Sequence, residues 1–145
     1  MGEKKVTGRK RHIVVDSQGH LLRVKVHAAD VPDGEGARDV LYRLGQRWPH
    51  LQLLWADSHY GGDALADWVW AELGVTIEVV RRPAGQKGWC LVRRRWVVER
   101  SFAHLGRSRR LSKDYEARAK YSESQVYLAS IRQLVRRIAV LSTAA

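Results

Sequence analysis

Two carboxylates stand in surroundings that could support chemistry. Asp57 follows the apolar run "LQLLWA" and precedes the loop "SHYGG". Glu99 is the only acid in a stretch that collects arginines from Arg93 to Arg110. Mg²⁺ prefers oxygen ligands and commonly takes only one or two carboxylates from a protein, with waters and phosphate as the other ligands. We therefore predict that Asp57 and Glu99 together hold Mg²⁺ or Mn²⁺, beside arginines that bind a phosphate backbone.

Each acid also has a simpler explanation. Asp57 could cap the following helix or bond to its own loop, and Glu99 could pair with the adjacent Arg100 on a solvated helix. On a helix, Trp96, Glu99 and Ala103 fall near one face, which would place Glu99 on the side that packs against a sheet. Spacing alone leaves both explanations open beside the metal site.

The charge distribution favours DNA as the partner. The chain has 145 residues and a net charge of +11, which favours a polyanion through counterion release. Residues 1–27 carry +5, residues 28–78 carry −6 and residues 79–145 carry +12. Folding could therefore place an acidic centre between basic surfaces, as a metal site that approaches phosphate requires. The alternative is that the positive charge is scattered over a soluble surface.

Composition excludes several other classes of protein. Cys90 is the only cysteine, so neither an intramolecular disulfide nor a cysteine-rich zinc site is expected. No apolar run reaches the roughly 18 residues that span a membrane, and the basic start lacks the apolar segment of a signal peptide. The expectation is one cytoplasmic domain with no membrane partner.

The first half of the chain reads as a hairpin followed by a helix. Two β-rich runs, Arg11–Val15 and Leu21–His27, flank a turn-rich segment and predict a β-hairpin. An amphipathic helix is then expected, with Asp33 as a plausible cap. Its apolar positions are Ala37, Val40, Leu41 and Leu44.

The middle of the chain alternates strand and helix. The run "LQLLWAD" predicts a buried strand, "GGDALADWVWAELG" a helix that Gly74 ends, and "VTIEVV" another strand. This succession implies an α/β sheet with parallel crossovers. Ligands tend to bind at the carboxyl ends of such strands, and Asp57 stands at one of them.

The last third is predicted to be helical, near Arg93–Arg107 and Ala117–Leu141. The second of these helices carries an apolar stripe that is expected to pack in the core. The stripe consists of Leu128, Ile131, Val135 and Ile138.

Three blocks of the chain resemble a known family. In order, "GRKRHIVVDSQGHLL", "WADSHYGG" and "RRRWVVERSFAHLGRSRRLSKDYE" look like the successive blocks of bacterial insertion-sequence transposases of the DDE type. The resemblance covers nearly the whole chain. It implies a ribonuclease H-like mixed sheet with flanking helices, and a transposase that hydrolyses phosphodiesters at element ends and transfers strands to target DNA with Mg²⁺ or Mn²⁺.

The resemblance also implies roles for particular residues. Asp57 matches the second catalytic acid and Glu99 the third, both metal ligands. Tyr60 occupies the aromatic place of the second block, where packing and substrate contact are both open. The predicted DNA contacts, from matched basic positions, the arginine-rich helix and the basic segment at residues 2–12, are Arg9, Lys10, Arg11, Arg95, Arg100, Arg107, Arg109, Arg110 and Lys113.

One departure from the family pattern leaves the function open. The first catalytic aspartate of the family lies on a first strand, upstream of the "GRKRH" block, and we expect that strand to be missing here. Asp16 matches the turn after the second strand instead. The chain is thus expected to be one partial catalytic domain over residues 1–145, or else a truncated and inactive DNA-binding remnant. A plain nuclease of the same fold is a third reading, and a homo-oligomer on DNA, at the nucleoid, is the usual arrangement where two DNA ends are paired.

Overall fold

The architecture is a mixed α/β fold with two small sheets and flanking helices, which confirms the broad class. The computed structural model describes residues 8–85, 87–88 and 92–144. Cys90 and residues 2–7 of the basic amino-terminal segment therefore lie outside the described residues. The strands are β1 (Arg9–Val15), β2 (Leu21–Ala28), β3 (Leu53–Asp57) and β4 (Thr76–Val80). The helices are α1 (Asp33–Leu41), α2 (Leu44–Arg47), α3 (Asp63–Leu73), α4 (Arg93–Gly106) and α5 (Ala119–Thr143).

The predicted hairpin is confirmed. β1 and β2 pair antiparallel from Arg9 opposite Ala28 to Val15 opposite Leu21, with an irregularity beside Val15. The connecting turn is closed by Asp16, whose carboxylate accepts the backbone N–H of Gln18 and of His20. This self-bonded turn explains why a short polar segment can reverse the chain here.

The sequence predicts one helix after the hairpin, whereas the structure has two. α1 ends at Leu41, and α2 begins after Arg43, which adopts a left-handed backbone conformation with φ of 58°. The prediction that Asp33 caps α1 is wrong, because Pro32 occupies the cap position and no side chain bonds there. Asp33 lies in the first turn and pairs with the amino group of Lys10 at 3.0 Å.

The strand, helix, strand unit in the middle of the chain is confirmed. β3 and β4 run parallel, with Asp57 opposite Val80 at their carboxyl ends. α3 connects them and ends at Gly74, which takes the left-handed conformation that glycine adopts without strain. The prediction that β3 is buried is wrong, because Leu53 and Trp55 are exposed. Within the described residues β3 pairs only with β4, so part of its surface stays open.

Two apolar clusters form the interior of the part of the chain that the structure describes. The first joins Val14 of β1 to α1, α2, α3 and Val75, the residue before β4. The second lies under the other face of the hairpin, where Val24 and Val26 of β2 meet Leu105, Leu111 and Val126. α4 contacts β1, β3 and α5, so this helix lies at the junction of both sheets.

The prediction that the apolar stripe of α5 packs in the core is wrong. Its four members, Leu128, Ile131, Val135 and Ile138, are more than half exposed. α5 packs on β2 through another face, formed by Ser122, Val126 and Ser130. These residues recur every fourth position, and their small side chains let the helix approach the hairpin closely. The spacing of apolar residues predicts an amphipathic helix correctly but does not identify the face that packs.

Two valines of α5 give a matched test of this packing. Val126 is fully buried, whereas Val135 is 59% exposed. Val126→Ala is expected to lower the free energy of unfolding by about 2 kcal/mol, from lost apolar burial and the cavity left behind. Val135→Ala is expected to change it by less than about 0.5 kcal/mol. Urea denaturation of both variants measures this, and equal losses would contradict the assignment of the packed face.

A pair of histidines lies between the hairpin and α1. His12 is buried, and its Nδ1 is 2.9 Å from the hydroxyl of Tyr60. The ring of His27 lies 5.2 Å away, edge to face, and its Nε2 is 2.7 Å from the carboxylate of Asp39. Among the described residues, His12 Nε2 and His27 Nδ1 are buried without a hydrogen-bond partner. Tyr60 thus has a packing role, holding the loop after β3 to β1.

This pair makes stability sensitive to acid. Burial lowers the pKa of His12, and His27 lowers it further, below the ordinary value of 6.5. Because the unfolded chain binds the proton more readily, the contribution of neutral His12 is complete above pH 6.5 and is lost as the pH falls below it. The melting temperature should therefore fall on acidification. His12→Gln should make this fall in melting temperature shallower. His50→Gln, a substitution at an exposed histidine, should leave the fall as in the wild type. Identical profiles of melting temperature against pH for the wild type and both variants would contradict the assignment of the effect to His12.

Candidate metal and DNA site

Asp57 ends β3 and turns its carboxylate into the following loop. The chain enters a single 3-10 turn over Ser58–Tyr60. The Ser58 hydroxyl donates to Asp57 Oδ1 at 3.0 Å, and the His59 backbone N–H donates to the same oxygen at 3.2 Å. The His59 ring nitrogen Nδ1 lies 3.0 Å from it. The expectation that Asp57 bonds to its own loop is therefore confirmed, and these contacts engage only one of its two oxygens.

These contacts keep Asp57 ionised. Partial burial raises the pKa of its carboxyl, but the hydrogen bonds from His59 and Ser58 and the charge of Arg95 outweigh that effect, so the pKa lies below its ordinary value. A metal ligand must be deprotonated, and a lowered pKa meets this condition at neutral pH.

Glu99 reaches the same place from α4. Arg95 Nε lies 3.0 Å from Glu99 Oε1 and 3.3 Å from Asp57 Oδ2. One guanidinium therefore joins the carboxylate at the end of β3 to the carboxylate one helical turn further along α4. The alternative expectation, an ion pair of Glu99 with Arg100, is wrong, since Arg100 donates instead to the Gln18 backbone carbonyl at 2.8 Å.

The site is open to solvent on the α4 side. The Glu99 side chain is 57% exposed and the Asp57 side chain 24%. Trp96 is also exposed, so the prediction that the face of Trp96, Glu99 and Ala103 packs against the sheet is wrong. α4 turns Ser101 and Leu105 inward instead. The two carboxylates consequently lie at an accessible edge, where a cation and a large polyanion could both approach.

The first turn of α4 is fixed against the parallel sheet by a second arginine. Arg94 pairs with Glu78 of β4 at 3.1 Å, and its guanidinium lies 4.5 Å from the ring centroid of Trp55 on β3. The Trp55 ring N–H donates to the other oxygen of Glu78 at 3.1 Å. This network sets where α4 crosses the strand ends and so helps to bring Arg95 and Glu99 to Asp57.

Several predicted DNA contacts have structural partners within the chain. Arg9 pairs with Asp114 at 3.0 Å and also donates to the backbone carbonyls of residues 116 and 117. Arg11 donates to the Leu111 carbonyl, and Arg110 pairs with Glu116 at 2.7 Å. The contacts of Arg9 and Arg11 tie the hairpin to the segment after α4. Contact with DNA stays a prediction for these residues.

The remaining predicted contacts, apart from Lys10 of β1, lie on α4 or in the segment that follows it. Arg107, Arg109 and Lys113 are exposed. The Lys10 amino group donates to the Asp33 carboxylate and to the Val31 backbone carbonyl. Arg95 and Arg100 lie on α4, and Arg100 stacks on Trp96 with its guanidinium carbon 4.8 Å from the ring centroid. The basic residues therefore spread from the carboxylates along α4 and the segment that follows it.

Comparison with known proteins places the chain in a family. Residues 2–129 match the family described as "Transposase DDE domain". The chain belongs to this family. The predicted DDE transposase relationship is thereby confirmed, and the substrate class of this family is DNA. Searches of curated proteins and of solved structures gave no match.

Two kinds of feature are absent from the described residues of this transposase domain. Within residues 8–85, 87–88 and 92–144, no group of three or more histidine, cysteine, aspartate or glutamate side chains is arranged to hold a metal ion. No helix in the same ranges is both long and apolar enough to cross a membrane.

Sequence reasoning missed the residue that organises the site. The sequence predicts Arg95 only as a DNA contact, yet its guanidinium contacts the carboxylates of both Asp57 and Glu99. The signal was present, because Arg95 and Glu99 are four residues apart on a predicted helix, where opposite charges meet. The link to Asp57 had no local signal, since it depends on how α4 crosses β3.

Proposed function

We propose that this transposase domain cuts and rejoins DNA, with Asp57 and Glu99 as the residues that would hold the divalent cation, Mg²⁺ or Mn²⁺, that the reaction needs. Water attacks a phosphodiester at the element end, which frees a 3′-hydroxyl and leaves a 5′-phosphate on the other side of the break. That 3′-hydroxyl then attacks a phosphodiester of target DNA, forms the new phosphodiester and displaces the 3′-hydroxyl of the cut target strand. The proposal rests on the family and on one observation. Both carboxylates contact a single cationic group, Arg95, and so lie within reach of a common cation.

The residues present fit a hard divalent cation. Asp57 and Glu99 supply two carboxylates, the number that Mg²⁺ commonly takes from protein when phosphate completes its shell. Such an ion would act as a Lewis acid on a phosphoryl oxygen. Asp57 is held ionised and oriented by Ser58 and His59. Arg95 now contacts both carboxylates; with a cation bound there, its guanidinium would be free to pair with a phosphate of the DNA backbone.

A two-metal form of this reaction uses a third acid. The family resemblance places that acid on a first strand, and we propose that β1 and β3 flank this strand in one ribonuclease H-like mixed sheet. Contact of α4 with both β1 and β3 supports this arrangement. Residues 1–145 would then form one part of a single catalytic domain.

The rival proposal is a DNA-binding remnant without catalysis. The net charge of +11 favours it, because charge alone can bind DNA. A remnant should show steeply salt-dependent, sequence-indifferent DNA binding that Mg²⁺ changes no more than its ionic strength requires. A plain nuclease of the same fold would cut DNA but give no products joined to target DNA.

Substituting Arg95 tests whether the two carboxylates share a cation. Arg95→Gln removes the positive charge that competes with a metal ion, and two partly exposed ion pairs are worth about 1 kcal/mol together. Mn²⁺ affinity is therefore expected to rise about 3- to 10-fold, measured by electron paramagnetic resonance of free Mn²⁺.

The matched control is Arg94→Gln. Arg94 is the neighbouring arginine on α4, but it pairs with Glu78 and not with Asp57 or Glu99. Mn²⁺ affinity in Arg94→Gln is expected to stay close to the wild-type value. An equal rise in both variants, or no rise in Arg95→Gln, would count against a cation site between Asp57 and Glu99.

A further inference from the structure

The strongest unassigned feature is a polar cleft on the other side of α4. The cleft has a volume of about 410 Å³ and lies between the hairpin turn, α4 and α5. The residues that matter for its chemistry are Gln18, Gly19, Arg100, His104, Gln133 and Arg137. Two guanidinium groups from different helices thus line one opening.

Both arginines in the cleft are held by neutral groups. Arg100 donates to the Gln18 backbone carbonyl at 2.8 Å, and Arg137 donates to the Gln18 side-chain oxygen at 2.8 Å. Neither arginine forms an ion pair with a carboxylate of the described residues. Neutral acceptors fix the position of a guanidinium but leave its charge uncompensated, which is the condition for binding an anion.

Asp16 begins the hairpin turn beside this cleft, and its contacts explain why it does not neutralise Arg137. Arg137 Nη1 lies 2.9 Å from His20 Nε2, and His20 Nδ1 lies 2.8 Å from Asp16 Oδ2. An arginine only donates, so His20 must accept through Nε2 and carry its proton on Nδ1, facing Asp16. The carboxylate is thereby engaged by His20 and by two backbone N–H groups of the turn.

We propose that this cleft binds a phosphate of the DNA backbone through Arg100 and Arg137. Planar guanidinium groups match phosphate oxygens in geometry and charge, and His104 and Gln133 add polar groups to the wall. The stack of Arg100 on Trp96 helps to hold the first guanidinium in place.

The cleft adjoins the carboxylates on the same helix. This step rests on the proposed function. Arg100 directly follows Glu99 on α4, and consecutive helix residues point to adjoining faces. A DNA strand whose reacting phosphate lies at Asp57 and Glu99 would therefore pass close to the cleft.

The test is the salt dependence of duplex DNA binding by Arg100→Gln, Arg137→Gln and the double variant, measured by fluorescence anisotropy in EDTA. Each single variant should weaken binding about tenfold and reduce the slope of log affinity against log salt by about one. Because both arginines would hold the same phosphate, the double variant should lose about one in slope and not two. Arg136→Gln, an exposed neighbour on α5, should have a smaller effect on affinity.

Three outcomes decide the proposal. Unchanged DNA affinity in Arg137→Gln would overturn it, as would additive slope losses in the double variant. Melting temperatures close to wild type are expected, since each variant removes an exposed contact. In addition, amide signals of Gln18 and Gly19 should shift on adding duplex DNA; shifts with inorganic phosphate but not with DNA would reassign the cleft to a free anion. Because EDTA removes divalent ions, failure of the metal proposal would leave these results unaffected.

Discussion

Asp57→Ala and Glu99→Ala are each expected to lower Mg²⁺-dependent nicking of DNA by on the order of 10³-fold or more. Each substitution removes one of the two carboxylates that meet at Arg95. DNA affinity should be similar or higher, because a negative charge beside the phosphate backbone is removed. Conversion of supercoiled plasmid to nicked circles measures the first effect, and a binding titration in EDTA measures the second.

Matched variants separate metal binding from folding in this experiment. Asp57→Asn and Glu99→Gln keep the size of each side chain and should lose activity as the alanine variants do. Asp63→Ala removes an acid from the nearby start of α3 and should keep wild-type activity. Nicking that survives substitution of both Asp57 and Glu99 would exclude this site, and a wild-type chain that nicks with neither Mg²⁺ nor Mn²⁺ would favour the DNA-binding remnant.

Gly36→Ala is expected to destabilise the protein by about 3 kcal/mol through overpacking. A Cβ atom at Gly36 would lie 2.7 Å from His12 Cε1 and 2.8 Å from His12 Cδ2, and closer still to Nε2. The His12 ring is buried and held by Tyr60, so it cannot move aside without breaking that contact. For a domain of this size the melting temperature should fall by roughly 6–12 °C.

Gly34→Ala provides the control in the same helix. A Cβ atom at Gly34 meets no atom within 4 Å, and alanine is favoured over glycine inside a helix by about 0.5–1 kcal/mol. The two substitutions, two positions apart in α1, are therefore expected to have opposite signs. Thermal unfolding of both variants measures this difference. Similar melting temperatures would show that His12 does not fill the space against Gly36.

Local patterns predicted most of the elements. The alternation in β2, the apolar run of β3 and the glycine that ends α3 each lie within a few residues of the structure they produce. The break between α1 and α2 was not predicted, because it depends on a left-handed backbone at Arg43, a conformation that non-glycine residues adopt uncommonly.

Two of the wrong predictions concern which face of a helix packs. α5 carries two candidate faces, and the larger apolar residues suggested the wrong one. The helix packs through Ser122, Val126 and Ser130 because close approach to β2 requires small side chains. Similarly, the sequence leaves open whether Glu99 faces the sheet or lies on a solvated side of its helix; α4 turns Ser101 and Leu105 inward, and Glu99 is exposed. Such choices depend on the fit between distant segments and leave little trace in local sequence.

The candidate site was predictable in part. Asp57 could be predicted because it stands at the end of a predicted strand. Glu99 could be predicted because it is the one acid among many arginines. Their convergence on Arg95 depends on the angle at which α4 crosses the strand ends, which Arg94, Glu78 and Trp55 help to set. These three residues are far apart in sequence, so no local pattern could reveal their contact.

The central claim is that Asp57 and Glu99 bind one divalent cation, and paramagnetic broadening by Mn²⁺ in an assigned ¹⁵N NMR spectrum tests it most directly. The account predicts that amide signals of residues 57–60 and 95–99 broaden first as Mn²⁺ is added. It also predicts that Asp57→Asn and Glu99→Gln each abolish this selectivity. Broadening centred on other acids, or selectivity that persists in both variants, would contradict it.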